Sequence, residues 1–151
     1  MSNQSSNIFK EMLWKGQITA LTDTFKIILL QPGFVFNKDT HKGYAEVVAA
    51  GGELPTANGY TVGGVALAGI VVDHDPATDQ GYVTWNNVTW YATTGSLLTS
   101  GAIIFDDSTA TPGDDHTDVV VSYKDAGGTL TAVAGTPIII TGIKELIYDA
   151  T

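Results

Sequence analysis

The chain has 151 residues, an ordinary length for one domain, and a formal net charge of −9. All seven basic residues are lysines and no cysteine occurs, so disulfides and cysteine-based catalysis are excluded. An acidic chain without arginine lacks the side chain most used to bind phosphates and base edges, which argues against binding to nucleic acid or to an anionic membrane. Only 15% of the residues are charged, below the usual share of about 25%, which suits a surface that contacts other proteins.

The N-terminal segment predicts a flexible polar tail over residues 1–6, followed by a single β-rich domain over residues 7–151. The domain opens with a short helix, because Ser6 or Asn7 can cap its start and Gly16 can end it.

The apolar face of this helix is wide for so short an element, so it must pack on the domain's own sheet or on another molecule. We expect it to form a protein interface, and the alternative of packing on its own sheet stays open. The predicted interface residues are Phe9, Met12, Leu13 and Trp14.

The rest of the chain has the character of β-structure. Apolar segments bounded by turn residues predict strands at residues 24–30, 62–72, 102–105, 137–141 and 143–148. The glycines within residues 62–72 indicate two short strands or one bent strand. Residues 44–50 fit a short helix or a strand equally well.

Two hairpins are predicted from turn signals between strand-like segments: residues 82–85 and 88–91 around Asn86 and Asn87, and residues 118–124 and 129–133 around residues 125–128. One continuous strand is the alternative for the first of them. Short strands at regular intervals, without alternating helices, predict a mostly β fold: an antiparallel β-sandwich, a jelly-roll-like arrangement or a barrel, with one short N-terminal helix.

Motifs of known chemistry are absent from the sequence, including the glycine-rich nucleotide loops, the serine nucleophile elbow and the zinc-binding HExxH pattern. Two acidic clusters are candidates for a loop cation site: Asp73, His74, Asp75 and Asp79; and Asp106, Asp107, Asp114, Asp115, His116 and Asp118. Neither follows the EF-hand spacing, and aspartates are common in solvated turns. We therefore predict no catalytic residues, no metal and no cofactor.

Four aromatic residues fall within ten positions: Tyr82, Trp85, Trp90 and Tyr91. Strand aromatics usually pack inward, so we expect at least one tryptophan in the core. A partly exposed aromatic rim at a subunit contact, or a surface that stacks on sugars or bases, is the alternative.

Five segments, in a fixed order, resemble a group of small structural proteins of tailed bacteriophages. They are residues 9–16 (FKEMLWKG), 21–27 (LTDTFKI), 59–68 (GYTVGGVALA), 83–85 (VTW) and 102–107 (AIIFDD). The resemblance extends over most of the chain, and no catalytic residue belongs to its pattern.

The resemblance implies a virion structural protein of the capsid decoration, or cement, type, which binds the outer shell and stabilises the head. It implies the major capsid protein or another virion protein as partner, a homo-oligomer with a trimer favoured, assembly in the host cytoplasm and a place on the capsid surface. A component of the tail, neck or fibre base is the alternative, as is a receptor- or carbohydrate-binding module. A second contact surface is expected around residues 125–128.

Overall fold

The computed structural model of the chain describes residues 2–108 and 117–146, and it is mostly β with antiparallel pairing throughout. The elements in chain order are β1 (Ser2–Ser5), α1 (Asn7–Lys15), β2 (Phe25–Leu29), α2 (Tyr44–Ala49), β3 (Val65–Ala66), β4 (Val71–Asp75), β5 (Gln80–Thr84), β6 (Val88–Tyr91), β7 (Ser96–Asp106), β8 (Val120–Val133), β9 (Pro137–Ile140) and β10 (Lys144–Leu146). The predicted fold class, a β-sandwich-like protein with a short N-terminal helix, is confirmed.

The strands of the described residues form three sheets. The largest has the strand order β1-β8-β7-β2-β3, the second has the order β10-β5-β4, and β6 pairs with β9 in the third. The centre of the large sheet is regular, since β2 pairs with β7 from Phe25 opposite Asp106 to Leu29 opposite Ala102.

Both faces of the large sheet are covered by apolar side chains. Alternate residues of β2 belong to different clusters: Ile27 packs into the main core and Ile28 into a smaller cluster on the opposite face. The main core also takes in α1 and side chains from the two smaller sheets, whereas Val47 of α2 and Phe36 belong to the smaller cluster. A strand that is covered on both faces has an uninterrupted apolar sequence, as residues 27–30 have.

The structure corrects the predicted flexible tail. Ser2–Ser5 form strand β1, an outer strand of the large sheet that pairs with β8 from Ser2 opposite Asp125 to Ser5 opposite Ser122. Polar residues at an edge strand satisfy their backbone groups in the ladder while their side chains meet water. Polarity alone therefore did not distinguish this edge strand from a tail.

Both predicted hairpins are wrong. Strand β5 pairs with β4 and β10, and β6 pairs with β9, so neither the first hairpin nor one continuous strand is formed. Asn86 and Asn87 instead connect other parts of the fold. The backbone N–H of Asn86 donates to the Ala68 carbonyl at 2.9 Å, and the side-chain oxygen of Asn87 accepts from Gly142 N at 3.3 Å.

The second predicted hairpin is a single strand, β8, whose two halves both pair with β7. Gly101 lies opposite Asp125 and Thr99 lies opposite Leu130, so the residues between Asp125 and Leu130 bulge out of the ladder. The glycines at 127 and 128, both at positive φ, permit this bulge.

The other predicted strands are present in the structure. Residues 24–30 contain β2, residues 62–72 contain β3 and the start of β4, and residues 102–105 lie within β7. The last two predicted strands correspond to β9 and β10. Residues 44–50, which fitted a helix or a strand, form helix α2. The predicted last strand reached residue 148, and its end lies outside the described residues.

Candidate functional site

Helix α1 is fixed at both ends by its own sequence. The Ser6 side chain accepts a hydrogen bond from Phe9 N at 3.0 Å and donates one to the Val120 carbonyl, so it caps the helix and ties it to β8. Gly16 takes a left-handed conformation with φ 69°, which ends the helix and turns the chain away. The direction in which each helical side chain points is therefore set locally.

The four predicted interface residues divide between the core and the surface. Phe9 is 3% exposed and Met12 is 1% exposed, and both belong to the main core, so for these two residues the interface prediction is corrected. Leu13 is partly buried against the same core. Trp14 is 88% exposed, the highest value among the large apolar side chains described.

The correction has a plain physical reason. Residues three and four apart lie on the same helix face, so Phe9, Met12 and Leu13 share the face that meets the sheet. Trp14 projects away from that face. Of the two alternatives for the helix, packing on its own sheet accounts for three of the residues, and only Trp14 is free for another molecule.

A second exposed apolar region, which we call the edge segment, comprises residues 62–72. Its exposed side chains are Val62, Val65, Val71 and Val72. The segment contributes β3 and the start of β4, which among the described strands are the outermost of the large sheet and of the second sheet. Unpaired strand edges with apolar side chains are the positions at which another chain can add to a sheet.

Sequence reasoning interpreted the edge segment as strands and did not identify it as an exposed apolar surface. The feature of the sequence that could have indicated this exposure is its glycines. Gly64 lies so close to the Ile27 carbonyl that a β-carbon there would collide with it, and its φ of 66° lies in the left-handed region that favours glycine. Directly after this contact, β3 pairs with β2 over Val65 and Ala66.

A third apolar region is the outer face of the β6–β9 pair. Tyr91 lies opposite Pro137 and Thr89 lies opposite Ile139, so these four side chains share one face, which is exposed. Tyr91 is 61% exposed.

The aromatic cluster is therefore mostly internal. Trp85 and Trp90 are both buried in the main core, where Trp85 makes an edge-to-face contact with Phe25 at 5.4 Å between ring centroids. Tyr82 is partly buried beneath the Lys144 ammonium, which lies 4.1 Å from its ring centroid. The expectation of at least one tryptophan in the core is confirmed.

The first acidic cluster forms a hydrogen-bonded turn. Asp75 accepts from Ala77 N at 2.9 Å, and the hydrogen bonds from the Ala77 backbone and the Thr78 side chain lower the pKa of its carboxyl. Asp79 adopts a positive φ of 54° in the same turn. Within residues 2–108 and 117–146, no group of three or more histidine or carboxylate side chains is arranged to hold a metal ion.

In the second acidic cluster, Asp114, Asp115 and His116 lie outside the described residues. Asp106 is buried at the end of β7, and desolvation raises its pKa to about 6, a rise that the nearby Asp23 reinforces and hydrogen bonds from Ser108 oppose. Asp107 pairs with Lys26 at 2.9 Å. These carboxylates serve as local ties between β2, β7 and the following loop.

The most enclosed charges lie elsewhere, where β1, β8 and β10 meet. Glu145 is fully buried and Lys124 is 5% exposed, and their charged groups are 3.2 Å apart. Asn3 and Ser5 of β1 also donate hydrogen bonds to the Glu145 carboxylate. Sequence reasoning did not find this cluster, because its members are far apart in the chain and no spacing rule connects them.

The region around residues 125–128, expected as a second contact surface, is the bulge in β8. Gly127 and Gly128 are exposed, and Gly127 N donates to the Asp125 carboxylate at 2.8 Å. The bulge presents mainly backbone and carries none of the exposed large apolar side chains described.

None of the described helices is long and apolar enough to cross a membrane. Comparison of the chain with protein-family models, with curated protein sequences and with solved structures finds no match in any of the three.

Proposed function

We propose that this chain is a virion structural protein of a tailed bacteriophage, and specifically a capsid decoration protein that binds the outer shell and stabilises the head. The proposal combines the ordered sequence resemblance with the surface of the fold. It assigns the chain a role in protein–protein contact and no catalytic role.

The observation that carries the proposal is the exposure of Trp14. An exposed tryptophan leaves a large apolar area in water, and tryptophan is the residue type most enriched among those that dominate binding energy at protein interfaces. It lies within FKEMLWKG, the first segment of the resemblance. Sequence and surface therefore point to the same residue, on a helix whose other apolar residues hold it firmly in place.

The edge segment and the β6–β9 outer face offer further contact regions on other elements. A decoration protein contacts several shell subunits, and repeated weak contacts multiply in affinity when one molecule makes them together. Three separate apolar regions suit such a role better than one deep pocket would. The acidic net charge keeps the same surfaces away from packaged nucleic acid.

A role in the tail, neck or fibre base uses the same surfaces at a lower copy number and remains the principal alternative. A carbohydrate-binding module has less support, since it needs exposed aromatic rings to stack on sugars. Trp85 and Trp90 are in the core, and Tyr91 and Trp14 lie on different elements.

The first test is the copy number of this protein in purified virions of the phage that encodes it, measured by quantitative mass spectrometry against the major shell protein. A copy number comparable to that of the shell protein is the expected result. A small fixed number would move the protein to the neck, tail or fibre base, and absence from the particle would overturn the structural role.

A second test uses Trp14→Ser with Val35→Ser as the matched control. Both side chains are highly exposed, and Trp14 lies on α1 whereas Val35 lies in the connection between β2 and α2. We expect both variants to fold as the wild type does, and Trp14→Ser alone to lose co-sedimentation with phage heads stripped of this protein. Equal binding by the two variants would exclude Trp14 as the contact.

A further inference from the structure

Three side chains with complementary chemistry meet where β1, β8 and β10 come together. Asn3 of β1 lies directly opposite Lys124 of β8 in the antiparallel ladder, and Glu145 comes from β10. An amine, a primary amide and a carboxylate are the groups needed to form an amide bond between two side chains with loss of ammonia.

The hydrogen bonds arrange these groups in a closed triangle. Lys124 Nζ donates to Asn3 Oδ1 at 2.7 Å and to Glu145 Oε2 at 3.2 Å, and Asn3 Nδ2 donates to Glu145 Oε2 at 2.8 Å. The orientation of the amide is fixed by chemistry, since an ammonium only donates and a carboxylate only accepts. The amine therefore lies against the carbonyl side of the amide, and the carboxylate lies against the nitrogen that would leave.

The Lys124 ammonium is buried, and it also donates a hydrogen bond to the Lys144 carbonyl at 2.7 Å. Burial lowers the pKa of Lys124, while the charge and hydrogen bond of Glu145 oppose that shift. In a site of low polarity, transfer of a proton from the ammonium to the carboxylate yields a neutral, nucleophilic amine. Ser5 donates to the other oxygen of Glu145, so the carboxylate is held in place from β1 as well.

Strand pairing supplies the positioning. Because Asn3 and Lys124 are opposite each other in the ladder, the two reacting groups are held together by the backbone for the lifetime of the fold. Such fixed proximity replaces an encounter in solution and lowers the entropic part of the barrier. Asn3 is an exposed residue at the edge of the sheet, so the released ammonia can diffuse into solvent.

We propose that Lys124 and Asn3 form an intramolecular isopeptide bond, with Glu145 as the group that moves the protons. Lys124 Nζ bonds to Asn3 Cγ, and the bond from Cγ to Nδ2 breaks. Glu145 accepts a proton from Lys124 and passes it to the departing nitrogen. The lysine ammonium gives up two protons in all, the products are a secondary amide and an ammonium ion, and Glu145 returns to a carboxylate.

This bond joins the N-terminal strand covalently to its neighbour β8 in the large sheet. Strand β1 is an outer strand held by its ladder with β8, so it is among the elements most easily pulled away. A covalent tie at Asn3 prevents that loss. The inference rests on this cluster alone and is independent of the proposed function.

The test is the intact mass of the folded, purified full-length chain. We expect a mass lower than that calculated from the sequence, for the same N-terminus, by about 17 Da, the mass of ammonia. Trypsin should then fail to cleave after Lys124, and tandem mass spectrometry should find the peptide of residues 1–10 joined to the peptide that contains Lys124. The full calculated mass together with cleavage after Lys124 would overturn the proposal without any variant.

Variants assign the roles of the three residues. Lys124→Arg keeps the charge and cannot form the bond, and Asn3→Ser removes the electrophile, so both should have their full calculated masses. Lys144→Arg is the matched control, because the Lys144 side chain lies over Tyr82, and the substitution keeps the Lys144 backbone carbonyl that accepts from Lys124. It should still show the loss of about 17 Da.

Glu145→Gln tests the proton transfer. The glutamine has nearly the same shape but is a much weaker base, so we expect the full calculated mass in a protein whose circular dichroism matches the wild type. A Glu145→Gln protein that still loses ammonia would show that Glu145 has no part in the step.

Discussion

Two regions of this chain have similar apolar content and opposite environments. The central strands β2 and β7 carry Ile27, Ile28, Ile103 and Ile104, all fully buried. The edge segment, residues 62–72, is as rich in branched apolar residues, and four of its valines are exposed. Hydrophobic content alone therefore does not determine which segment is in the core.

The difference comes from position in the sheets and from glycine. The central strands have a hydrogen-bonded neighbour on each side and an apolar cluster on each face. The edge segment contains Gly63, Gly64 and Gly69, all at positive φ, which restrict its pairing to short stretches at the outside of two sheets. Exposed apolar side chains at such a place make the edge segment a candidate contact surface.

The sharpest test of this comparison is a pair of truncations. Ile104 is fully buried opposite Ile27, so Ile104→Ala should lower the free energy of unfolding by about 3–4 kcal/mol through lost burial and a residual cavity. The edge variant Val72→Ala should change it by less than about 0.5 kcal/mol. Urea denaturation followed by circular dichroism measures both. Equal losses would show that the edge segment belongs to the core.

Asp106, at the end of the central strand β7, makes the free energy of unfolding depend on pH, and the edge segment makes no such contribution. The pKa of Asp106 is raised to about 6 from an ordinary 3.8, so the folded state holds a proton that the unfolded state releases. The associated stability is full below about pH 4 and is lost as the pH rises through about 6, by at most about 3 kcal/mol.

Asp106→Asn keeps the shape of the side chain and removes its titration. We expect the variant to be more stable than the wild type near pH 7, with a difference that shrinks as the pH falls towards about 4. Urea denaturation at several pH values gives the difference directly. A difference that does not change with pH would contradict the raised pKa.

Glu53 joins the two regions that the comparison separates. Its carboxylate accepts hydrogen bonds from Tyr44 Oη at 2.5 Å, from Tyr60 Oη at 2.6 Å and from Gly63 N at 2.7 Å. Tyr60 Oη also accepts from Leu29 N of β2 at 3.3 Å. The start of the edge segment is thereby tied to a central strand.

We expect Glu53→Ala to lower stability by about 1–3 kcal/mol, since it leaves the buried Tyr60 hydroxyl without its acceptor.

Burial, then the hydrogen bond and charge of Glu53, raise the pKa of both Tyr44 and Tyr60. The variant should therefore ionise its tyrosines at lower pH in a spectrophotometric titration. Unchanged tyrosine titration would show that the network is not formed in solution. Hydrogen exchange should report faster opening around Gly63 while the amides of β7 stay protected.

The sequence predicted the fold class and the strands of the central region, because continuous apolar runs such as residues 27–30 and 102–105 have few other uses. It failed where pairing depends on distant residues. Asn86 and Asn87 have the composition of a hairpin turn, yet their hydrogen bonds go to residues 68 and 142. The apolar content of the short helix grouped Phe9, Met12, Leu13 and Trp14, but only the docked helix shows which of them remain outside.

The smallest expected effect on stability concerns the edge segment itself. Val65 and Val71 are exposed on β3 and β4, so the double variant Val65→Ser with Val71→Ser should have a free energy of unfolding within about 0.5 kcal/mol of that of the wild type.

If the edge segment is a contact surface, the same variant should lower the association of the protein with phage heads, or with copies of itself, measured by sedimentation. Leu98→Ser, on the outward side of β7, is the matched control, as its side chain is exposed to a similar degree. Loss of association in the edge variant alone would mean that its exposure has a binding role. Unchanged association in both would leave the edge segment an apolar surface without a partner and would shift the contact to Trp14 or to the β6–β9 outer face.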